Sequence, residues 1–140
     1  MAVIVVGSGE LAVRLITSLE SRGDEVILIT PHVRDAEEFA LEFPRTMVLS
    51  GDARDPAVLT QEQAARADRL IAATGDDAEN LSICLLAREA FHLAMVAGLA
   101  GHAHNVRLFH ALGIPCISCS EIVADGVMAA LGERPIAVTR

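Results

Sequence analysis

At 140 residues the chain has the length of one domain, and with 52% hydrophobic and 21% charged residues it can bury a core. All 11 basic residues are Arg, and the absence of Lys, Tyr and Trp excludes a Walker A phosphate clamp, a Schiff base and a Ser-Lys or Tyr-Lys catalytic pair. A net charge of −8, with Phe as the only aromatic type, excludes nucleic acid as a partner: no surplus positive charge releases counterions and no aromatic platform stacks bases.

The first apolar run, 2–6, reads as a buried strand. Its start lacks a basic region and runs straight into a glycine turn, so it is not a signal peptide. A helix over 10–22 follows, with Leu11, Leu15, Ile16 and Leu19 at helical spacing. A strand over 26–29, a weaker helix over 35–43 and a strand over 46–49 come next. Asp55-Pro56 places an N-cap acid before a first-turn Pro and starts a short helix that ends near residue 65. A strand over 69–73 leads to the longest helix, 77–91. Then come a strand at 93–97, a helix at 103–112, a strand at 115–118 and a last helix at 120–131. The last helix carries Ile122, Val123, Val127, Met128 and Leu131, a stripe wide enough to cover the sheet and leave some surface for a partner.

Strands alternating with helices predict a Rossmann-type, doubly wound, six-stranded parallel α/β sheet of order 3-2-1-4-5-6. Residues 1–132 form its one domain, and 133–140 read as a tail or linker. No apolar stretch approaches the roughly 20 residues needed to span a bilayer. Three Cys, an odd count in a chain that builds its own core, read as reduced thiols of a cytoplasmic protein.

Gly7-Ser8-Gly9-Glu10-Leu11-Ala12 reads G-x-G-x-x-A, placed after a strand and opening a helix. Gly7 permits the turn, Gly9 lets a pyrophosphate approach, and Ala12 keeps helix and strand close. Backbone N–H groups around Gly7, Ser8, Gly9, Glu10 and Leu11 then hold phosphate without Lys. The alternative is a turn that keeps this shape without a ligand. An acid is expected at the end of the second strand, where it would hold a ribose hydroxyl. Thr30 stands there instead. Arg34 reads as a solvated helix-start residue; contact with a 2′-phosphate, favouring NADP, is its other reading.

Beyond the third strand the pattern becomes specific. Gly51-Asp52-Ala53-Arg54-Asp55-Pro56, Leu59, Ala67-Asp68, Ala73-Thr74-Gly75-Asp76-Asp77 and Asn80-Leu81 together resemble the nucleotide-binding half of RCK domains, the KTN or TrkA-N regulators of potassium conductance. The likeness runs from about Val3 to Leu131. It implies that Asp52 and Ala53 border an adenine and that Thr74 and Gly75 lie beside pyrophosphate or ribose. It also implies that Asp77 and Asn80 open a helix near the ligand, where plain capping is their other reading. Asp68 reads as a solvated acid. The implied ligands are NAD(H), NADP(H), or a mononucleotide such as AMP, ADP or ATP. The implied assembly is a homodimer or larger ring joined to a membrane potassium channel or transporter subunit, peripheral at the inner face of the membrane. The implied role is regulation without catalysis.

The chain departs from the family at Thr30 and at Gly98, where an Arg just after the fifth strand is usual. The family also tends to continue into a second ligand-binding subdomain. Two other function classes stay open. A small NAD(P)-dependent oxidoreductase would use the same sheet, although no acid–base pair or substrate domain is evident. A redox or metal sensor would use Cys116, Cys119 and His102, although the Cys-x-x-Cys falls on a strand end without a zinc-knuckle turn.

Overall fold

Six short apolar runs become six parallel strands, because a strand covered on both faces needs no polar alternation. The computed structural model describes residues 1–132; the expected tail at 133–140 lies outside the described residues. In chain order the elements are β1 (Ala2–Gly7), α1 (Gly9–Ser21), β2 (Glu25–Thr30), α2 (Val33–Glu42), β3 (Met47–Ser50), α3 (Pro56–Leu59), α4 (Glu62–Ala65), β4 (Arg69–Ala73), α5 (Asp77–Glu89), β5 (Met95–Ala100), α6 (Ala103–Ala111), β6 (Cys116–Ser118) and α7 (Cys119–Ala130). The sheet order is β3-β2-β1-β4-β5-β6, the doubly wound order expected from the alternation. Order reverses between β1 and β4, where Gly7 pairs with Ala73. Asp68 has a structural task here: its carboxylate accepts the Ala2 N–H at 3.1 Å and ties the start of β1 to β4.

Two cores form, one on each face. α1 and α2 close the first over β1 and β2, with Val3, Val5, Ile16, Leu28 and Phe39 buried. The second lies under α3 to α6 and holds Ile4, Leu70, Ile83, Cys84, Phe109 and Ile114. Burying side chains of this size contributes about 1.5–3 kcal/mol each. The pattern of alternate small residues in β4 and β5 lets those helices sit close.

Three elements differ from the periodicity reading. The single helix expected near 55–65 is two turns, α3 and α4, broken where Thr60 caps one and Gln61 starts the next. β5 begins at Met95 and ends at Ala100, later than the apolar run suggests. Leu93 is held instead by its N–H to the Ala87 carbonyl at 3.1 Å, after His92 turns the chain with φ of 55°. The third difference is α7. It was expected to cover the sheet, yet every residue from Ser120 to Ala130 is exposed. Helical periodicity shows that a face is to be covered and not by which surface. On the α1 side, the β4–β6 half of the sheet is correspondingly bare: Met95 and Ile117 are exposed, and Val3, Leu19, Ile71, Ala97 and Pro115 line a hollow of about 220 Å³.

Candidate nucleotide site

The carboxyl ends of β1, β3 and β4 bring together most residues singled out from the sequence. Gly7 is the last residue of β1, and a Cβ there would lie 2.8 Å from the Ala73 carbonyl oxygen. Only glycine lets the two central strands stay paired at that point. Gly9 has φ of +67°, in the left-handed region, with open space where a Cβ would sit. Ser8 is the N-cap of α1 in an extended conformation, and its side chain makes no capping bond. The first-turn N–H groups, Glu10 and Leu11 among them, therefore lack a side-chain acceptor. A 13-residue helix with such a terminus favours an anion by its partial positive charge. Glu10 opposes that field and is itself paired with Arg14 at 3.6 Å.

The loop after β3 is built on Asp52. Its carboxylate accepts the Arg54 backbone N–H at 2.8 Å, Arg54 Nε at 3.1 and 3.2 Å, and Arg54 Nη2 at 2.8 Å. The Arg54 side chain, and then its backbone N–H, hold the Asp52 carboxyl below the usual range. Ala53 packs its methyl into the core, so only its backbone can meet a base. Asp55 accepts the Ala57 N–H at 3.0 Å and caps α3 ahead of Pro56, as the Asp-Pro pair predicts. Arg54, quoted in the sequence only as part of the loop pattern, is the partner that fixes Asp52; the Asp-x-Arg spacing inside a loop is its signal.

The loop after β4 is held from inside. Asn80 is fully buried. Its Oδ1 accepts the Thr74 N–H at 3.0 Å and the Thr74 hydroxyl at 2.6 Å, and its Nδ2 donates to the Thr74 carbonyl at 3.1 Å and the Leu99 carbonyl at 3.0 Å. The cap of α5 is Asp76, which accepts the Glu79 N–H at 2.9 Å. Asp77 reaches away from its own helix and accepts Gly101 N–H at 2.9 Å, His102 N–H at 3.2 Å and Asn105 Nδ2 at 2.9 Å. The side chains of Asp77 and Asn80 thus hold the loop after β4 and the turn after β5, while Gly75 is exposed.

The Asn105 amide, followed by the Gly101 N–H, holds the Asp77 carboxyl below its ordinary value of 3.8. A depressed carboxyl stabilises the fold above the unfolded pKa, and that contribution is lost as pH falls through the folded one. Asp77→Asn will therefore flatten the fall in Tm on acidification below about pH 4, measured by circular dichroism melts across pH.

Thr30 ends β2 fully buried, and its hydroxyl has no hydrogen-bond partner. Gly98 does not follow β5 but lies inside it, paired with Ala72 and Cys116. A Cβ there would stand 2.5 Å from Phe109 Cε1 and 3.3 Å from Cys84 Sγ. The position faces the core and no side chain from it can reach phosphate.

The sulfur and imidazole groups do not assemble. Among the described residues no three His, Cys, Asp or Glu side chains are arranged to hold a metal ion. His102 Nδ1 accepts the His104 N–H at 3.1 Å and caps α6. Cys84, Cys116 and Cys119 are free thiols. Burial pushes the Cys84 thiol up to about 12, and burial followed by the Asp77 charge raises Cys116. Since the thiolate is the reactive form, Cys84 will react with Ellman's reagent only after unfolding, which a thiol count with and without denaturant checks.

A family model of the TrkA-N domain matches residues 3–120. The chain belongs to the TrkA-N domain family. The resemblance read from residues 51–80 is to this family. The Trk system potassium uptake protein TrkA homolog of Methanothermobacter thermautotrophicus is 30% identical over 135 residues, covering 96% of this chain and 62% of that protein. The homolog of Pyrococcus abyssi is 34% identical over 88 residues, 63% of this chain and 38% of that protein. The chain therefore spans less than two thirds of the length of these relatives. Among solved structures, the TrkA-N domain of inner membrane protein ybaL from Escherichia coli superimposes with a TM-score of 0.82 at 16% identity, covering 93% of this chain and 96% of that one. The Kef CTD of Shewanella denitrificans, in AMP-bound form, gives 0.77 at 20% identity over 94% of this chain and 80% of that one. The GsuK channel bound to NAD gives 0.75 at 22% identity over 90% and 23%. At these identities the structural likeness establishes the fold.

Proposed function

We propose that this TrkA-N domain is a regulatory module that takes up an adenine nucleotide and controls potassium transport through a membrane channel or transporter subunit. The observation that carries the reading is the uncapped N-terminus of α1 behind the Gly7–Gly9 turn. It lies at the carboxyl end of the sheet, where Gly7 pairs with Ala73 and from which the loops after β3 and β4 leave. Backbone donors there accommodate phosphate, and we read the module as one that binds and does not catalyse. The relatives in potassium uptake systems support the transport role. The AMP-, NAD- and ADP-bound states of similar folds support NAD(H), NADP(H) or an adenine mononucleotide as ligand. Among the described residues no helix is long and apolar enough to cross a membrane, which fits a peripheral domain that acts through a partner at the cytoplasmic face.

Assembly as a homodimer or ring belongs to the same proposal. The exposed α7 stripe of Ile122, Val123, Val127 and Met128 and the bare half of the sheet are two apolar surfaces that one chain leaves uncovered. A nucleotide that favours one arrangement of such a dimer shifts its population. The test is equilibrium binding of NAD⁺, NADP⁺, AMP, ADP and ATP by calorimetry, with light scattering on a sizing column. A chain without Trp or Tyr absorbs little at 280 nm, so co-purified adenine is also visible in its spectrum. Absence of binding to all five ligands overturns the nucleotide reading, and a monomer at high concentration overturns the assembly.

A further inference from the structure

We infer that His102 is a proton-operated clasp: as a neutral imidazole it caps α6 and steadies the turn after β5, and on protonation it releases both, so that the start of α7 responds to pH. An N-cap is ordinarily a hydroxyl, a carboxylate or an amide, and none of these changes charge between about pH 5 and 8. The N-cap of α6 is an imidazole instead. Its residue is extended at φ −109° and ψ 130°, and its Nδ1 accepts the His104 N–H at 3.1 Å. A ring nitrogen accepts only while it carries no proton, and in the imidazolium both nitrogens are donors. Protonation therefore removes the cap. It also sets a positive charge against the positive end of a nine-residue helix. The ring is exposed, so protons reach it from solvent.

Charges meet the ring from each element around it. From α5 comes Asp77, whose carboxylate accepts the His102 N–H at 3.2 Å, the Gly101 N–H at 2.9 Å and Asn105 Nδ2 at 2.9 Å. The Asn105 amide and then the Gly101 N–H do most to hold that carboxyl low, and the charge of His102 adds to them, so ring and carboxylate attract. On α6 itself His104 lies edge-on with ring centres 6.4 Å apart, and it repels once both rings are charged. From the β6–α7 side come the Cys116 thiol, which feels the Asp77 charge after the larger effect of burial, and Glu121 in the first turn of α7. A protonated His102 is thus drawn toward Asp77 and away from the helix start. There it competes for the carboxylate that holds Gly101 and Asn105. The Gly101 carbonyl is also where the Ser120 hydroxyl attaches, so the turn passes the change to the head of α7 and its exposed apolar stripe.

Amide NMR of the whole chain without ligand, titrated between about pH 8 and 5, reads the clasp. The His104 amide resonance is expected to move with the midpoint of the His102 ring, and the Ser120 amide to follow the same midpoint. Hydrogen-exchange protection factors, which correct for the intrinsic pH dependence of exchange, give the size of the effect. Those of the His104 and Asn105 amides are expected to fall roughly tenfold from about pH 7.5 to about pH 5.5, while amides inside α1 keep theirs. His102→Asn supplies a cap that does not titrate, and is expected to hold protection at both pH values and to abolish the Ser120 response. His102→Ala is expected to lose protection at both. His104→Gln keeps the capped amide and is expected to retain the pH response. Equal protection of the His104 amide at both pH values, or a response that persists in His102→Asn, overturns the clasp. A Ser120 amide that ignores the His102 midpoint overturns its link to α7.

Discussion

Gly98→Arg is expected to leave the chain unfolded, and Gly98→Ala alone will cost about 1–3 kcal/mol by overpacking. The reason is the Phe109 ring, whose Cε1 would stand 2.5 Å from the new Cβ, with Cys84 Sγ at 3.3 Å. Phe109 is 1% exposed and Cys84 0%, so neither has solvent to move into. Backbone movement is blocked as well, because Gly98 is paired on both sides, with Ala72 of β4 and Cys116 of β6. Urea titrations followed by far-ultraviolet circular dichroism will read the Ala variant as a lower midpoint at an unchanged slope. Phe109→Ala opens the space that the ring fills, so Gly98→Ala in that background will cost less than it does alone. Additive losses would show that the contact with the ring is not the cause. Gly98 therefore serves core packing between β5, Phe109 and Cys84, and it says nothing on its own about phosphate binding.

The fold was legible because its signals are local. Short apolar runs, the Gly7–Ala12 turn and the Asp55-Pro56 helix start each determine backbone shape within a few residues, and sheet order follows from alternation. Long-range contacts carried what was not legible. The start of β5 depends on the Ala87 carbonyl capturing Leu93, which no window around residue 93 reveals. α7 has a clear apolar stripe, yet the stripe does not name its cover. Gly7, Asp52 and Thr74 end or follow β1, β3 and β4, and Asn80 lies in the first turn of α5. The direction of each side chain does not follow from the motif. Asp77 and Asp76 are adjacent acids at one helix start, and sequence alone cannot tell that the first N-caps nothing while the second caps the helix. The direction is decided by the Gly101–His102 turn, some 24 residues later, which draws the Asp77 carboxylate across. Ser120 adds its hydroxyl to the Gly101 carbonyl, so the same turn also meets the start of α7.

Asn80→Leu is expected to cost about 2–4 kcal/mol, since a buried amide that bonds on all sides leaves orphans when it goes. Leu keeps the branched outline of Asn and leaves no cavity, so the loss combines broken hydrogen bonds with some overpacking. Three backbone groups lose their partner: the Thr74 N–H, the Thr74 carbonyl and the Leu99 carbonyl. Those groups sit at the ends of β4 and β5, directly under the crevice, where water cannot fully replace the amide. Asn80→Asp is expected to be no better, because its second oxygen would face two carbonyls that need a donor. Thr74→Val removes the 2.6 Å hydroxyl bond to Asn80 and the 3.3 Å contacts of the same hydroxyl with the Asp76 carbonyl and N–H, and will cost about 1–2 kcal/mol. The two positions share one network, so the double variant will lose less than the sum of the singles. Thermal melts and a double-mutant cycle measure the stability side. The functional side is separate: Thr74→Val, which keeps the fold, will loosen the Thr74–Gly75 loop and weaken adenine-nucleotide binding more than a remote surface change of equal stability cost. Equal weakening by both would mean that binding follows overall stability and that the Asn80–Thr74 clamp has no part in shaping the crevice.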